Sequence, residues 1–356
     1  MTDESHAPTP SPDLERLLGA LLRLDPVALA GHGVNALLAE DEKTATQSLL
    51  RHGAGLKAAF RLMNALGDRG IPHLFLKGPT LQRLLYGEAA IRPYGDLDVW
   101  VEPARLADAA AAVQEVGWKP PPRITPYHFH VVCPPADAPL PLELHTRWVD
   151  RANMYRLPDD AGLERAVMGA EGLPRPCVED LLIYLCVHAH KHGFLNETAL
   201  ALGQPAEWFL SPASGNRLLW WLDIALLLEE ATEPIDWKLC IERIWRWNLI
   251  KPVAITLRLV TRFLPASKAR QALANLKLDT VHPKLGRKAM RRMVIRNRRR
   301  FMSPNAATWR PGRLAQLPDL LFPSPDALAA FLEKSEVSLL DRARHPWRMM
   351  RRILGN

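Results

Sequence analysis

Apolar residues recur at helical spacing from about Glu42 to Gly67, and the pattern then changes to a short continuous run, Leu74-Phe75-Leu76. The first pattern predicts a long helix; the second, entered through the turn Gly70-Ile71-Pro72, predicts a buried strand over His73 to Leu76. Gly78-Pro79-Thr80 reads as the start of a helix, since proline suits the first helical position and glycine lets the backbone approach a ligand. A second strand carries Asp96-Leu97-Asp98-Val99-Trp100-Val101. Side chains alternate along a strand, which puts Asp96 and Asp98 on one face and Leu97, Val99 and Val101 on the core side.

The alternation of strand and helix continues. An alanine-rich helix is expected from Pro103 to Val116, ending at Gly117, and His128 to Cys133 reads as the next strand. A proline-rich loop, Pro134 to Pro141, leads to Leu142-Glu143-Leu144-His145, where Glu143 and His145 share a face. From about Asp159 the periodicity is helical: Val178 to Phe194, Asn216 to Ala231, Trp237 to Leu249, Pro252 to Leu264 and Ala266 to Leu276, with no further strand of comparable strength. A short helix from Asp13 to about Leu24 precedes this order. In the tail, Lys284 to Arg300 reads as a basic amphipathic helix, a helix is expected near Asp326 to Leu340, and Pro346 to Leu354 is again basic and amphipathic.

The fold class expected is α+β. It comprises a disordered stretch over 1–12, an α/β domain with a small mixed sheet over 13–155, an all-helical domain over 156–280 and a basic helical region over 281–356. With 356 residues and 48% hydrophobic content, the chain can bury a substantial core. A formal charge of +8 favours anionic partners without choosing among nucleotide, nucleic acid and acidic lipid. The four cysteines, Cys133, Cys177, Cys186 and Cys240, form no C-x-x-C pair, so reduced thiols in a cytoplasmic protein are expected. No signal peptide and no apolar run of roughly 20 residues is present, so a spanning segment is not expected, although peripheral contact with a membrane stays open.

Two carboxylates held one residue apart repel each other, and a divalent cation is the simplest group that makes the arrangement favourable. If the strand bearing Glu143 lies beside the one bearing Asp98, Glu143 becomes the third carboxylate of such a site.

The ordered set of apolar strand, Lys77-Gly78, helix, Tyr86, Arg92-Pro93, Asp96-Leu97-Asp98 and, later, Glu143-Leu144-His145 resembles the uncharacterised bacterial nucleotidyltransferase family of the DNA polymerase β-like superfamily. The resemblance runs from about Leu74 to near Asp223. Lys77-Gly78 stands where many members of the wider superfamily have Gly-Ser. The resemblance implies that Asp96 and Asp98 hold Mg2+, or Mn2+, that Glu143 completes the site as ligand or base, and that a nucleoside triphosphate or other activated nucleotide is the donor. It further implies a hydroxyl- or phosphate-bearing acceptor, a small molecule or peptide, reached by His145, His188, His192 and Asp223.

Each residue also has a plainer reading. The aspartates can close a solvated strand end, and Lys77 can either meet phosphate with Gly78 or pair with one of the aspartates. Arg92 can grip phosphate by a two-pronged contact or simply face solvent. His145 can be a hydrogen-bonded, half-buried histidine. His188 and His192 have the spacing of a metal pair, but no third ligand follows and zinc is not expected. Trp220, Trp221, Trp237, Trp245 and Trp247 fit a core better than a stacking surface. A non-catalytic adaptor using the basic C-terminal helices is the alternative function, and nucleic-acid binding is not expected because no RNA-binding motif accompanies the basic stretches.

Overall fold

The structure is a computed structural model, and it describes residues 16–17, 42–87, 92–121, 130–149, 157–193, 196–210, 214–230, 234–283, 328 and 338–354. The expected helices over Asp13 to Leu24, Lys284 to Arg300 and Asp326 to Leu340 fall wholly or largely outside these residues.

Helix α1 (Glu42–Gly67) leads into β1 (His73–Phe75). Gly78 then turns the chain with φ of 70° into α2 (Pro79–Leu81), which widens after one turn into a π-helical segment, Gln82–Tyr86. Strand β2 (Leu97–Val101), helix α3 (Leu106–Glu115), β3 (His130–Cys133) and β4 (Leu142–His145) complete a four-stranded sheet of order β1-β2-β4-β3. The sheet is mixed: β2 runs parallel to β4, and both outer strands run antiparallel to their neighbours.

Both faces of this sheet are covered, which explains why all of β2 is buried. On one face Phe75, Leu97, Val99, Leu142 and Leu144 pack with Leu62 and Leu66 of α1 and Val113 of α3. On the other, Leu74, Leu76 and Trp100 join the helical part of the chain. That part comprises α4 (Val178–His192), α5 (Asn196–Ala201), α6 (Ala206–Phe209), α7 (Leu218–Glu230), α8 (Trp237–Arg246), α9 (Ile250–Phe263) and α10 (Ala269–Asn275). The fold is α+β, with a small mixed sheet followed by helices.

Two departures from the expected elements have local causes. A two-stranded ribbon, β5 (Ala166–Met168) with β6 (Pro174–Pro176), precedes α4. It shows no alternation and carries two prolines, so no strand pattern marks it. At the C-terminus a single helix, α11 (Leu339–Leu354), runs through Pro346, where the sequence suggested a break between two helices. The tryptophans are mostly interior: Trp221 and Trp247 are buried, while Trp245 is 61% exposed.

Candidate active site

The polar residues on the sheet's helical side are set by strand register. Parallel pairing puts Asp98 of β2 directly opposite Glu143 of β4, and Trp100 opposite His145. Antiparallel pairing places His130 of β3 opposite His145, and the two rings stack with centroids 5.3 Å apart. Asp98, Glu143, His145 and His130 therefore stand side by side on one face of three adjacent strands.

Asp98 lies at the centre and is 2% exposed. From the β1 side the Lys77 ammonium approaches Asp98 Oδ1 at 3.0 Å, and from the β4 side His145 Nε2 approaches the same oxygen at 3.1 Å. His145 Nε2 also lies 3.3 Å from Glu143 Oε2. Lys77 is further held by His188 of α4, whose Nε2 is 3.4 Å from Nζ.

Electrostatics follow from this geometry. Burial pushes the Asp98 carboxyl up, but Lys77 and His145 together overcome it and hold the group well below the usual carboxylate range. Glu143 behaves likewise: burial raises it, and the hydrogen bond with His145 brings it below its ordinary value. Burial disfavours the charged form of His145, but Asp98 and Glu143 outweigh that and raise it. His130 is pushed down to about 4 by burial and by the neighbouring charge of His145. His188 is held well below the ordinary imidazole value by burial and then by Lys77.

Asp96 occupies the bend just before β2 rather than the strand itself. Burial and the adjacent Asp98 raise its carboxyl, with a smaller contribution from Glu143, so the three acids act on one another. The ligand atoms that converge are those of Asp98, Glu143 and His145, all within 4.8 Å of one another. Two carboxylates and an imidazole, with a third carboxylate repelled by both acids, suit a hard divalent cation, because a cation removes that repulsion.

The remaining expected residues separate into two groups. Gly78 sits at the head of α2, where its positive φ rather than lack of space demands glycine; an added Cβ would meet nothing nearer than Tyr94 Cδ2 at 3.6 Å. Arg92 is 4% exposed. Its Nε and Nη2 donate to Asp223 Oδ1 and Oδ2 at 2.8 and 2.7 Å, and Tyr86 Oη donates to Asp223 Oδ1 at 2.8 Å. Burial opposes the charge of Arg92, and Asp223 more than offsets it. His188 meets His192 and Trp220 of α7 edge-on, at 4.5 and 5.0 Å between centroids, and His192 lies tilted against Trp220 at 4.6 Å.

Sequence reasoning gave no role to His130, to Tyr184 of α4, or to the hydroxyl of Tyr86. Only the strand register brings His130 to His145, and no residue spacing signals it.

A family model described as an uncharacterised nucleotidyltransferase matches residues 30–265 of the chain. No curated protein and no solved structure matches.

Proposed function

Since the chain belongs to the uncharacterised nucleotidyltransferase family, we propose that its transfer reaction takes place on the sheet face bearing Asp98, Glu143 and His145. The chain is a transferase of nucleotidyl groups. The observation that carries the placement is the register of β2 and β4, which sets Asp98 beside Glu143, while the pairing of β1 with β2 brings Lys77 onto the Asp98 oxygen that His145 also meets. Among the described residues, this is the cluster in which acids, imidazole and ammonium meet.

Asp98 and Glu143, with Asp96 at the edge, would hold Mg2+ or Mn2+. Such an ion, when bound, neutralises the carboxylates and polarises the phosphate oxygens of the donor nucleotide. Lys77 balances the charge of Asp98 and stands at the end of β1, from which it reaches a phosphate by rotation of its own side chain. Gly78 supplies the turn that brings backbone N–H groups to the same rim. His145 keeps Asp98 and Glu143 ionised and fixes their orientation. Arg92 positions: with both prongs on Asp223, it joins the approach to β2 to α7 and so sets the distance between the acids and the helices. His188, His192 and Trp220 line the helical side, where the acceptor enters. Phosphate-linked transfer to a small molecule or peptide in a biosynthetic pathway suits such a site.

Free, buried thiols at all four cysteines fit a reducing, cytoplasmic setting. No described helix is long and apolar enough to cross a membrane.

The test is calorimetric titration of each nucleoside triphosphate, with and without Mg2+, into wild type and Asp98→Ala. Metal-dependent binding that is lost in the variant supports the placement. Binding that is indifferent to both metal and variant would sink it.

A further inference from the structure

In helix α11, Leu339, Ala343 and Trp347 are spaced four residues apart and Leu340 falls beside them, so the four form one stripe along the helix. This stripe is turned to solvent: Leu339 is 83% exposed, Leu340 55% and Trp347 75%, and Ala343 is exposed as well. Leu339 and Trp347 are the two most exposed large apolar side chains among the described residues. His345, on the opposite side of the helix, is 2% exposed, so the covered side is not the apolar one. In the sequence the same spacing continues through Met350 and Leu354. Arg342 and Arg344 are exposed on either flank of the stripe, and Arg348, Arg351 and Arg352 follow within the helix, against Asp341 as its one acid.

Apolar side chains gathered in water are unfavourable, and such a patch marks a place where something else docks. The occupant must offer an apolar layer along the 16 residues of α11, a length of about 24 Å, with negative charge beside it. The charge is not confined to this helix: residues 281–356 hold 17 Lys and Arg against 5 Asp and Glu, whereas residues 1–280 hold 29 against 33. The positive excess of the whole chain therefore lies in its C-terminal region, a spread that matches an extended anionic plane better than the acidic groove of one protein partner. Nucleic acid takes arginines through its phosphates, but it has no apolar layer for Leu339 and Leu340. A bilayer with acidic headgroups supplies both needs. Guanidinium groups bind phosphate by paired hydrogen bonds, and tryptophan favours the level where an apolar region meets a wet one.

We propose that α11 lies in the surface of an anionic lipid bilayer, with Leu339, Leu340, Ala343 and Trp347 at the acyl boundary and the arginines on the headgroup phosphates. The helix runs along the bilayer and does not cross it, since an arginine recurs on every turn. None of these residues belongs to the acidic cluster, so the docking stands apart from the placement of the transfer reaction.

The experiment floats the full chain with vesicles of phosphatidylcholine alone, or of phosphatidylcholine and phosphatidylglycerol in equal parts. Wild type is compared with two double variants, Leu340→Glu with Trp347→Glu and Arg342→Gln with Arg344→Gln. Light scattering and thermal unfolding without lipid accompany it. We expect wild type to float with the acidic vesicles and not with the neutral ones, and each double variant to partition about tenfold more weakly or worse. The Tm should not change, because the substituted side chains are exposed. Absence of flotation with acidic vesicles would overturn the proposal, as would equal flotation with neutral ones. Loss in only one of the two variants would also count against it, since binding would then rest on charge alone or on apolar area alone. A wild-type dimer that Leu340→Glu with Trp347→Glu dissolves would make a second copy the occupant, and a lowered Tm in that variant would make the occupant another part of this chain. Tight binding of a single-stranded RNA without flotation would assign the arginines to nucleic acid; each of these three results sinks the bilayer.

Discussion

Arg92 and Asp223, separated by 131 positions in the chain, meet in a buried two-pronged ion pair that joins the approach to β2 to helix α7. Tyr86, at the end of the π-helical segment, completes the contact. Both charges are almost wholly out of water, so their mutual attraction and their shared hydrogen bonds are what make the burial tolerable.

Removing one partner leaves the other charge buried and unpaired. Asp223→Ala is expected to destabilise the protein by about 3–5 kcal/mol. The double variant Arg92→Met with Asp223→Leu should recover much of that loss. Urea unfolding of the three proteins checks this; equal stability of the single and double variants would contradict it.

Asp98→Asn keeps the size of the side chain but removes the charge that Lys77 and His145 share. We expect nucleotide turnover to fall by about 10²-fold or more, with the circular dichroism spectrum unchanged. Pyrophosphate release under saturating nucleotide is the measurement, and turnover near that of wild type would remove Asp98 from the chemistry.

Stability should depend on pH through the buried histidines. The folded value of His188 is depressed, so the unfolded chain takes up a proton near 6.5 that the folded chain refuses. Its contribution is complete above about 6.5 and is lost as pH falls below that value. His130, pushed down to about 4, acts in the same direction between its unfolded value and 4. His145 runs the opposite way: its folded value is raised, so its contribution is full below the unfolded value and fades as pH rises through the folded one. His188→Gln should therefore flatten the rise of unfolding free energy between about pH 5 and pH 7. Denaturant titrations across that range decide the matter, and a slope as steep as that of wild type would contradict it.

Gly78→Ala isolates a backbone effect. With φ at 70° and no clash awaiting a Cβ, the cost comes from the dihedral alone, about 1–3 kcal/mol. A variant as stable as wild type would show that the turn relaxes into another conformation.

The thiols should be inert in the folded protein. All four are buried and free, and burial pushes Cys133 and Cys177 up to about 12. Labelling by a thiol reagent at neutral pH is expected to be slow in buffer and complete in denaturant; rapid labelling of a native cysteine would refute this.

Local pattern was enough to place most of the elements that carry the site. The continuous apolar run before Lys77, the alternation through Asp98 and the spacing of Glu143 and His145 mark β1, β2 and β4, because a period of two residues fixes which side chains share a face. The helical period likewise marks α1, α4, α7, α8 and α9. Proline and short length hid β5 and β6, since neither alternation nor β-branched enrichment survives in Pro174-Arg175-Pro176.

What the chain alone determined is therefore the face on which each polar group stands along its own element. Only the tertiary structure decided which faces meet: β4 beside β2 and not at the sheet's edge, His130 over His145, Lys77 between Asp98 and His188, and Arg92 on Asp223. Periodicity is a property of one segment, whereas these contacts depend on how the sheet is packed between α1 and α3 on one side and the helical layer on the other, a balance of burial summed over the whole core.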